Sequence, residues 1–131
     1  MRIAIDHLGK PPIGGTPRER DAWRALARAA AEHPGTVAKL SGLYPPTGDA
    51  RAWTLEDVRP FVEDAREIFG ADRLMYGSDW PIAELAGGHR RVHDALTELT
   101  SSWTDGERDA VFSGTATTFY RIPDPTERTS A

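Results

Sequence analysis

Three short apolar runs, each followed by a turn rich in glycine or proline and then by a helical pattern, constrain this chain more than any other feature. The runs are RIAID at 2–6, TVAKLS at 36–41 and RLMYG at 73–77. Their length, and the turn residues that bound them, fit strands buried in a sheet. Thr16, with Pro17 behind it and Glu19 in the first turn, opens a helix. That helix carries Trp23, Leu26 and Ala30 on one stripe and stops near His33-Pro34-Gly35. Thr54 opens a second, with Asp57 as the acidic partner of a capping box and Gly70 as its stop. Its apolar residues Leu55, Val58, Val62, Ala65 and Phe69 recur at helical spacing. A third helix, about 89–101, turns Val92, Leu96 and Leu99 inward, and a fourth runs from Thr104 to Phe119-Tyr120 with a break at Gly114.

Strands alternating with helices imply parallel pairing and right-handed crossovers, hence one α/β sheet in the order 1-2-3 with helices on one face. Three such units fit a small open α/β domain. They equally fit three-eighths of a (β/α)8 barrel, a fold of roughly 250 residues. Spacing and composition leave both open.

Composition narrows the function classes. Of 131 residues, 39% are hydrophobic and 27% charged, the balance of an ordinary globular domain. There is no cysteine, which excludes disulfides, thiolate zinc sites and cysteine nucleophiles. The formal charge of −4, with no dense basic stretch, argues against nucleic acid as a partner. No apolar run approaches the roughly 20 residues of a membrane span, and charge and proline come too early for a signal peptide. A cytoplasmic protein with a small-molecule substrate is the expectation. Residues 1–122 read as one unit, and 123–131 as a polar tail expected to be disordered.

Ligands of parallel α/β folds bind beyond the carboxyl ends of the strands. The three strands deliver Asp6-His7, Lys39 with Ser41, and Ser78-Asp79-Trp80 to that end. Strict alternation puts His7 on the face of Ile3 and Ile5, Lys39 with Val37 and Ser41, and Asp79 with Met75 and Gly77. A histidine, a lysine and a carboxylate at one rim are the materials of acid–base chemistry or metal ligation. Each has a plainer reading too. His7 can cap a turn, Asp79 can start an Asx turn, Lys39 can face water from an edge strand, and Trp53 and Trp80 can simply pack. His89 and His93 lack the glutamate of a zinc helix, no Gly-Lys-Ser/Thr follows the glycines of GKPPIGG as a phosphate loop requires, and no GxSxG is present.

IDHLGKP at 5–11, VAKLSGL at 37–43 and DRLMYGSDWP at 72–81 resemble successive motifs of the amidohydrolase-related family, in its lactonase-like branch. The ending ERDAVFSGTATTFYRI at 107–122 resembles that family's closing helix, with Thr115 where asparagine is usual. The resemblance implies the last three βα units of a (β/α)8 barrel hydrolase that opens sugar-type or dicarboxylate lactones with an activated water. It makes Asp79 the general base and later proton donor, and His7 the contact to the substrate carbonyl or to a metal. Lys39, Ser41 and Trp80 would line the pocket. A divalent metal such as zinc, held by His7 and Asp79, is implied only as an option, since lactonases of this branch do not all need one.

One departure is large: no His-x-His pair, the mark of the family's first strand, occurs anywhere in the sequence. By this match the chain starts near the sixth strand. It then reads as a fragment, as a mis-started or truncated reading frame, or as a half-barrel completed by a partner chain or by self-association, and in each case either as the catalytic part of a hydrolase or as an inactive remnant. The sheet face expected to lie inside a whole barrel, assigned to Ile3, Ile5, Val37 and Met75, would stand uncovered.

Overall fold

The computed structural model describes residues 1–45 and 48–126. The expected loop proline Pro46 and the tail from 127 to 131 lie outside the described residues. Three strands, β1 (Ile3–Ile5), β2 (Thr36–Leu40) and β3 (Leu74–Tyr76), form one parallel sheet in the order β1-β2-β3. Residue Ile5 pairs with Ala38, and Ala38 with Leu74, so these three share a face. Sequence-adjacent strands are also spatial neighbours, as short crossovers require.

Helices α1 (Pro17–Ala31), α2 (Leu55–Phe69) and α3 (His89–Leu99) bury one side of that sheet. Both α1 and α2 start with closed capping boxes, Thr16 with Glu19 and Thr54 with Asp57. Each box satisfies backbone donors that the first helical turn otherwise leaves unpaired. The core beneath them is Ala38, Leu40 and Leu74 from the strands with Val58, Val62, Ala65, Phe69, Val92, Leu96 and Leu99 from α2 and α3. Contrary to the expected stripe, Leu26 is 73% exposed, and α1 instead buries Trp23 and Ala27, four residues apart. Leucine at 26 therefore points to the solvent side of α1.

Between α1 and α2 the strongest polar contact is buried. Asp64 accepts two hydrogen bonds from Arg20, at 2.7 and 2.9 Å, and another from Arg24. Two indoles pin loops to the core: Trp23 donates to the Leu8 carbonyl and Trp53 to that of Ala86, both at 2.8 Å.

The last helical segment departs from expectation. Instead of breaking at Gly114, it passes from α4 (Asp105–Asp109) through a π-helical turn (Ala110–Gly114) into α5 (Thr115–Tyr120). The Thr115 hydroxyl donates to the carbonyls of Ala71 and Asp72, fixing the segment below β3. From there α5 reaches the sheet face opposite α1–α3. Val37 lines a cavity together with Thr115, Thr118 and Phe119, and the Lys39 ammonium lies 6.0 Å from the Tyr120 ring. Val37 and Met75 are buried there, Met75 to 1% exposure.

Two expectations about that face are therefore corrected. It is not bare, because α5 supplies a partial cover. Nor does it carry Ile3 and Ile5: the register pairs Ala4 with Val37 and Lys39 with Met75, which sends Ile3 and Ile5 to the helix-covered side. Residues 121–126 follow α5 as an exposed segment in which Asp124 accepts from Thr126. Among the described residues, no helix is long and apolar enough to cross a membrane.

Candidate active site

The chain leaves β1 through a turn that strict alternation does not anticipate. His7, Leu8, Gly9 and Lys10 all have positive φ, between 51° and 70°. For His7 and Leu8, which carry Cβ atoms, this is an uncommon and strained conformation. It drives Leu8 into the core, where it is 3% exposed, and turns the imidazole of His7 away from the face of Ile5. The correction follows from the backbone: period-2 reasoning ends where extended φ ends.

His7 thereby meets the end of β2. Its Nδ1 lies 2.8 Å from the hydroxyl of Ser41, which is 2% exposed. Room for this meeting comes from two glycines. A Cβ on Gly42 would stand 2.9 Å from His7 Nδ1 and 3.3 Å from Asp79 Oδ2, and one on Gly77 would stand 2.9 Å from the Ser41 Cβ. Gly42 also has a φ of 59°, which glycine adopts without penalty.

The end of β3 supplies the carboxylate. Ser78 accepts a hydrogen bond from the Trp80 backbone at 3.3 Å, closing a turn around Asp79, whose φ is 53°. The turn is thus tied by Ser78, not by Asp79 as the plainer reading had it. Asp79 Oδ1 faces His7 Nε2 at 3.6 Å, with the carboxylate side chain 13% exposed. Its other oxygen, Oδ2, accepts from the phenol of Tyr44. Tyr44 was not singled out from sequence; its only signal was its place three residues beyond Ser41, in the loop leaving the central strand.

Ser41, His7, Asp79 and Tyr44 therefore form one polar chain at the carboxyl end of the sheet. Lys39 is engaged elsewhere. Its ammonium is 2.7 Å from Asp6, and β2 is the central strand, so the edge-strand reading of this lysine does not hold. The hydrogen bond between them holds the Asp6 carboxyl below its ordinary range and raises the Lys39 ammonium above its own. Trp53 is a packing residue at 4% exposure, whereas Trp80, beside Asp79, is 70% exposed. His93 packs against the Tyr76 and Phe112 rings on the far side of the sheet.

The family's sequence model for amidohydrolases matches residues 1–122. This chain belongs to the amidohydrolase family. Among curated relatives of this amidohydrolase, an L-fucono-1,5-lactonase of Burkholderia ambifaria is 39% identical, over 95% of this chain and 43% of its own. The L-fucono-1,5-lactonase of Burkholderia multivorans is 35% identical, over 95% of this chain and 45% of its own. A crystal structure of an amidohydrolase from Burkholderia multivorans, with bound zinc, superposes with a TM-score of 0.87 at 33% identity, covering 93% of this chain and 44% of that one. The chain spans less than half the length of these relatives, and its three βα units are part of a (β/α)8 barrel.

Zinc in that relative raises the question of fit here. A tetrahedral zinc with bonds of about 2.0–2.2 Å separates adjacent donors by roughly 3.4 Å, close to the gap between His7 Nε2 and Asp79 Oδ1. That pair matches one edge of a metal site and no more. Among the described residues no group of three or more His, Cys, Asp or Glu is placed to hold a metal, and a catalytic zinc requires three protein ligands. The described residues do not by themselves make a metal centre.

Proposed function

We propose that this chain carries the catalytic end of a lactone hydrolase, with Asp79 as general base and His7 as the group facing the substrate carbonyl. The observation that supports this most is the mostly buried Asp79 carboxylate, facing a histidine at the carboxyl ends of a parallel sheet. Carboxylates held out of bulk water beside a polar partner are suited to moving protons.

In this reading a water at Asp79 Oδ1 gives up a proton to the carboxylate while its oxygen bonds to the lactone carbonyl carbon. In the tautomer this step requires, Ser41 donates to Nδ1, 2.8 Å away, so that His7 carries its proton on Nε2 and stabilises the oxygen that takes up the charge. When the ring C–O bond breaks, the proton on Asp79 passes to the departing alkoxide, and the base is restored. Trp80 offers an exposed apolar face beside this point, suited to the ring of a sugar-type or dicarboxylate lactone. Ser41 works through His7. Lys39, paired with Asp6 and apart from the His7–Asp79 pair, would line the wall of the pocket. Where a divalent metal such as zinc is bound, His7 and Asp79 are the residues of this chain that would hold it, and it would supply Lewis-acid polarisation of the carbonyl. The remaining strands would come from an upstream segment of a longer chain, from a partner chain or from a second copy.

The test is to supply the missing strands from a Burkholderia lactonase relative and follow acid release from a panel of lactones. Asp79→Asn keeps the shape and removes the proton acceptor, so turnover should fall by roughly 10² to 10⁴. Undiminished turnover in this variant overturns the assignment. Loss of turnover to a chelator would move His7 and Asp79 from proton transfer to metal ligation.

A further inference from the structure

The carboxylate of Asp79 has two oxygens in different surroundings. Oδ1 faces His7 Nε2 at 3.6 Å, longer than a hydrogen bond, and among the described residues no hydrogen bond occupies it. Oδ2 is closed in: it accepts from the Tyr44 phenol, and the Cα of Gly42 presses so near that a Cβ there would stand 3.3 Å away. Tyr44 itself has little freedom to leave. It follows Ser41, Gly42 and the buried Leu43 out of the central strand, and its ring packs against the core.

We infer that Tyr44 is a positioning residue for Asp79: its hydroxyl occupies Oδ2, fixes the carboxylate rotamer, and leaves Oδ1 as the working oxygen toward His7. This rests on the reading of Asp79 as base, and it deepens that reading by naming which oxygen works. Without the phenol, Oδ2 loses its hydrogen bond, and the carboxylate gains freedom to turn about its last torsion, a broad one. A turned carboxylate changes what His7 Nε2 faces.

The decisive measurement uses the chain as it is and needs no turnover. Tyr44→Phe keeps the ring and its packing and removes only the hydroxyl. At one fixed pH, the ring nitrogen resonances of His7 are recorded in wild type, in Tyr44→Phe, and in Tyr120→Phe, which loses a hydroxyl on the α5 side. The inference expects the His7 resonances to move in Tyr44→Phe by more than in Tyr120→Phe. A loss of packing alone would not produce this, because the ring remains. Conversely, Asp79→Asn in a chain labelled at tyrosine Cζ should shift the Tyr44 signal, which covers the case of a Phe variant that folds badly. Unmoved His7 resonances in a folded Tyr44→Phe chain overturn the inference, as does an unmoved Tyr44 signal in Asp79→Asn. In the completed barrel, Tyr44→Phe should lower kcat by about tenfold or more with KM little changed. A rise in KM at constant kcat would make Tyr44 a substrate contact and refute the positioning role. Failure of Asp79 as base would appear in the turnover of Asp79→Asn, independently of these resonances.

Discussion

Replacing Asp64 with asparagine should cost this fold more than any other polar substitution on its helical face. The carboxylate is 4% exposed and takes three charge-assisted hydrogen bonds from two arginines of α1, so it joins α1 to α2 across the surface of the core. Breaking a buried ion pair by removing one partner costs about 3–5 kcal/mol when the other is left stranded. Here the stranded groups recover part of that. The Arg20 and Arg24 side chains are 36% and 22% exposed and can turn to water. Asparagine opens no cavity and still accepts one hydrogen bond, though its amide then confronts a guanidinium. The balance is a loss of about 2–3 kcal/mol. For a chain of this size that corresponds to a melting temperature lower by roughly 10 °C. Urea titration of wild type, Asp64→Asn, Arg20→Met and the double variant closes a cycle, in which the coupling should exceed about 1 kcal/mol. Because the pair is mostly shielded, added salt should change the result little. A loss in Asp64→Asn below about 0.5 kcal/mol, the ordinary range for surface substitutions, would refute the reasoning.

Gly42→Ala places a Cβ against His7 and Asp79 at a φ of 59°, so it should cost about 1–2 kcal/mol in thermal unfolding, and a variant as stable as wild type would show the turn to be relaxed. The hydrogen bond and charge of Lys39 hold the Asp6 carboxyl below its ordinary range, so their stabilisation is complete above the ordinary carboxylate range and fades as pH falls below about 4. Melting curves of wild type should therefore lose more than those of Lys39→Met on acidification, and parallel losses would count against the pair. The chain alone should self-associate at tens of micromolar, since β1 and β3 are both sheet edges and Trp80, Ile82 and Leu85 are exposed; a stable monomer in light scattering would contradict this.

Strand order, the helices and their caps were readable because each rests on a local rule: helical spacing in Leu55–Phe69, a threonine before an acidic third position, short runs bounded by glycine or proline. His7 and Asp79 were readable as site candidates from their places at strand ends. Their aim was not. Both sit at positive φ, in turns shaped by what Leu8, Ser41 and Gly42 must pack against, and such non-local demands leave no periodic trace. The burial of Val37 and Met75 was missed for a related reason. Helix α5 returns from the other end of the sequence to cover them, and no spacing within a window announces a contact between residues 2 and 119. Tyr44 went unnoticed because a lone tyrosine in a loop has no motif around it.

The four residues Ser41 to Tyr44 hold His7 from one side and Asp79 from the other, with Gly42 between them. They leave the middle strand, whose neighbours on both sides tie it down. Thermal motion of the two outer turns is thus referred to one common mount, and what reaches the gap between imidazole and carboxylate is only the difference of their movements. The outer strands can lengthen, shift or change their loops while the spacing between imidazole and carboxylate stays that of a single tetrapeptide. Under the proposed lactone hydrolysis, variation in substrate and constancy of chemistry are carried by separate parts of the same rim.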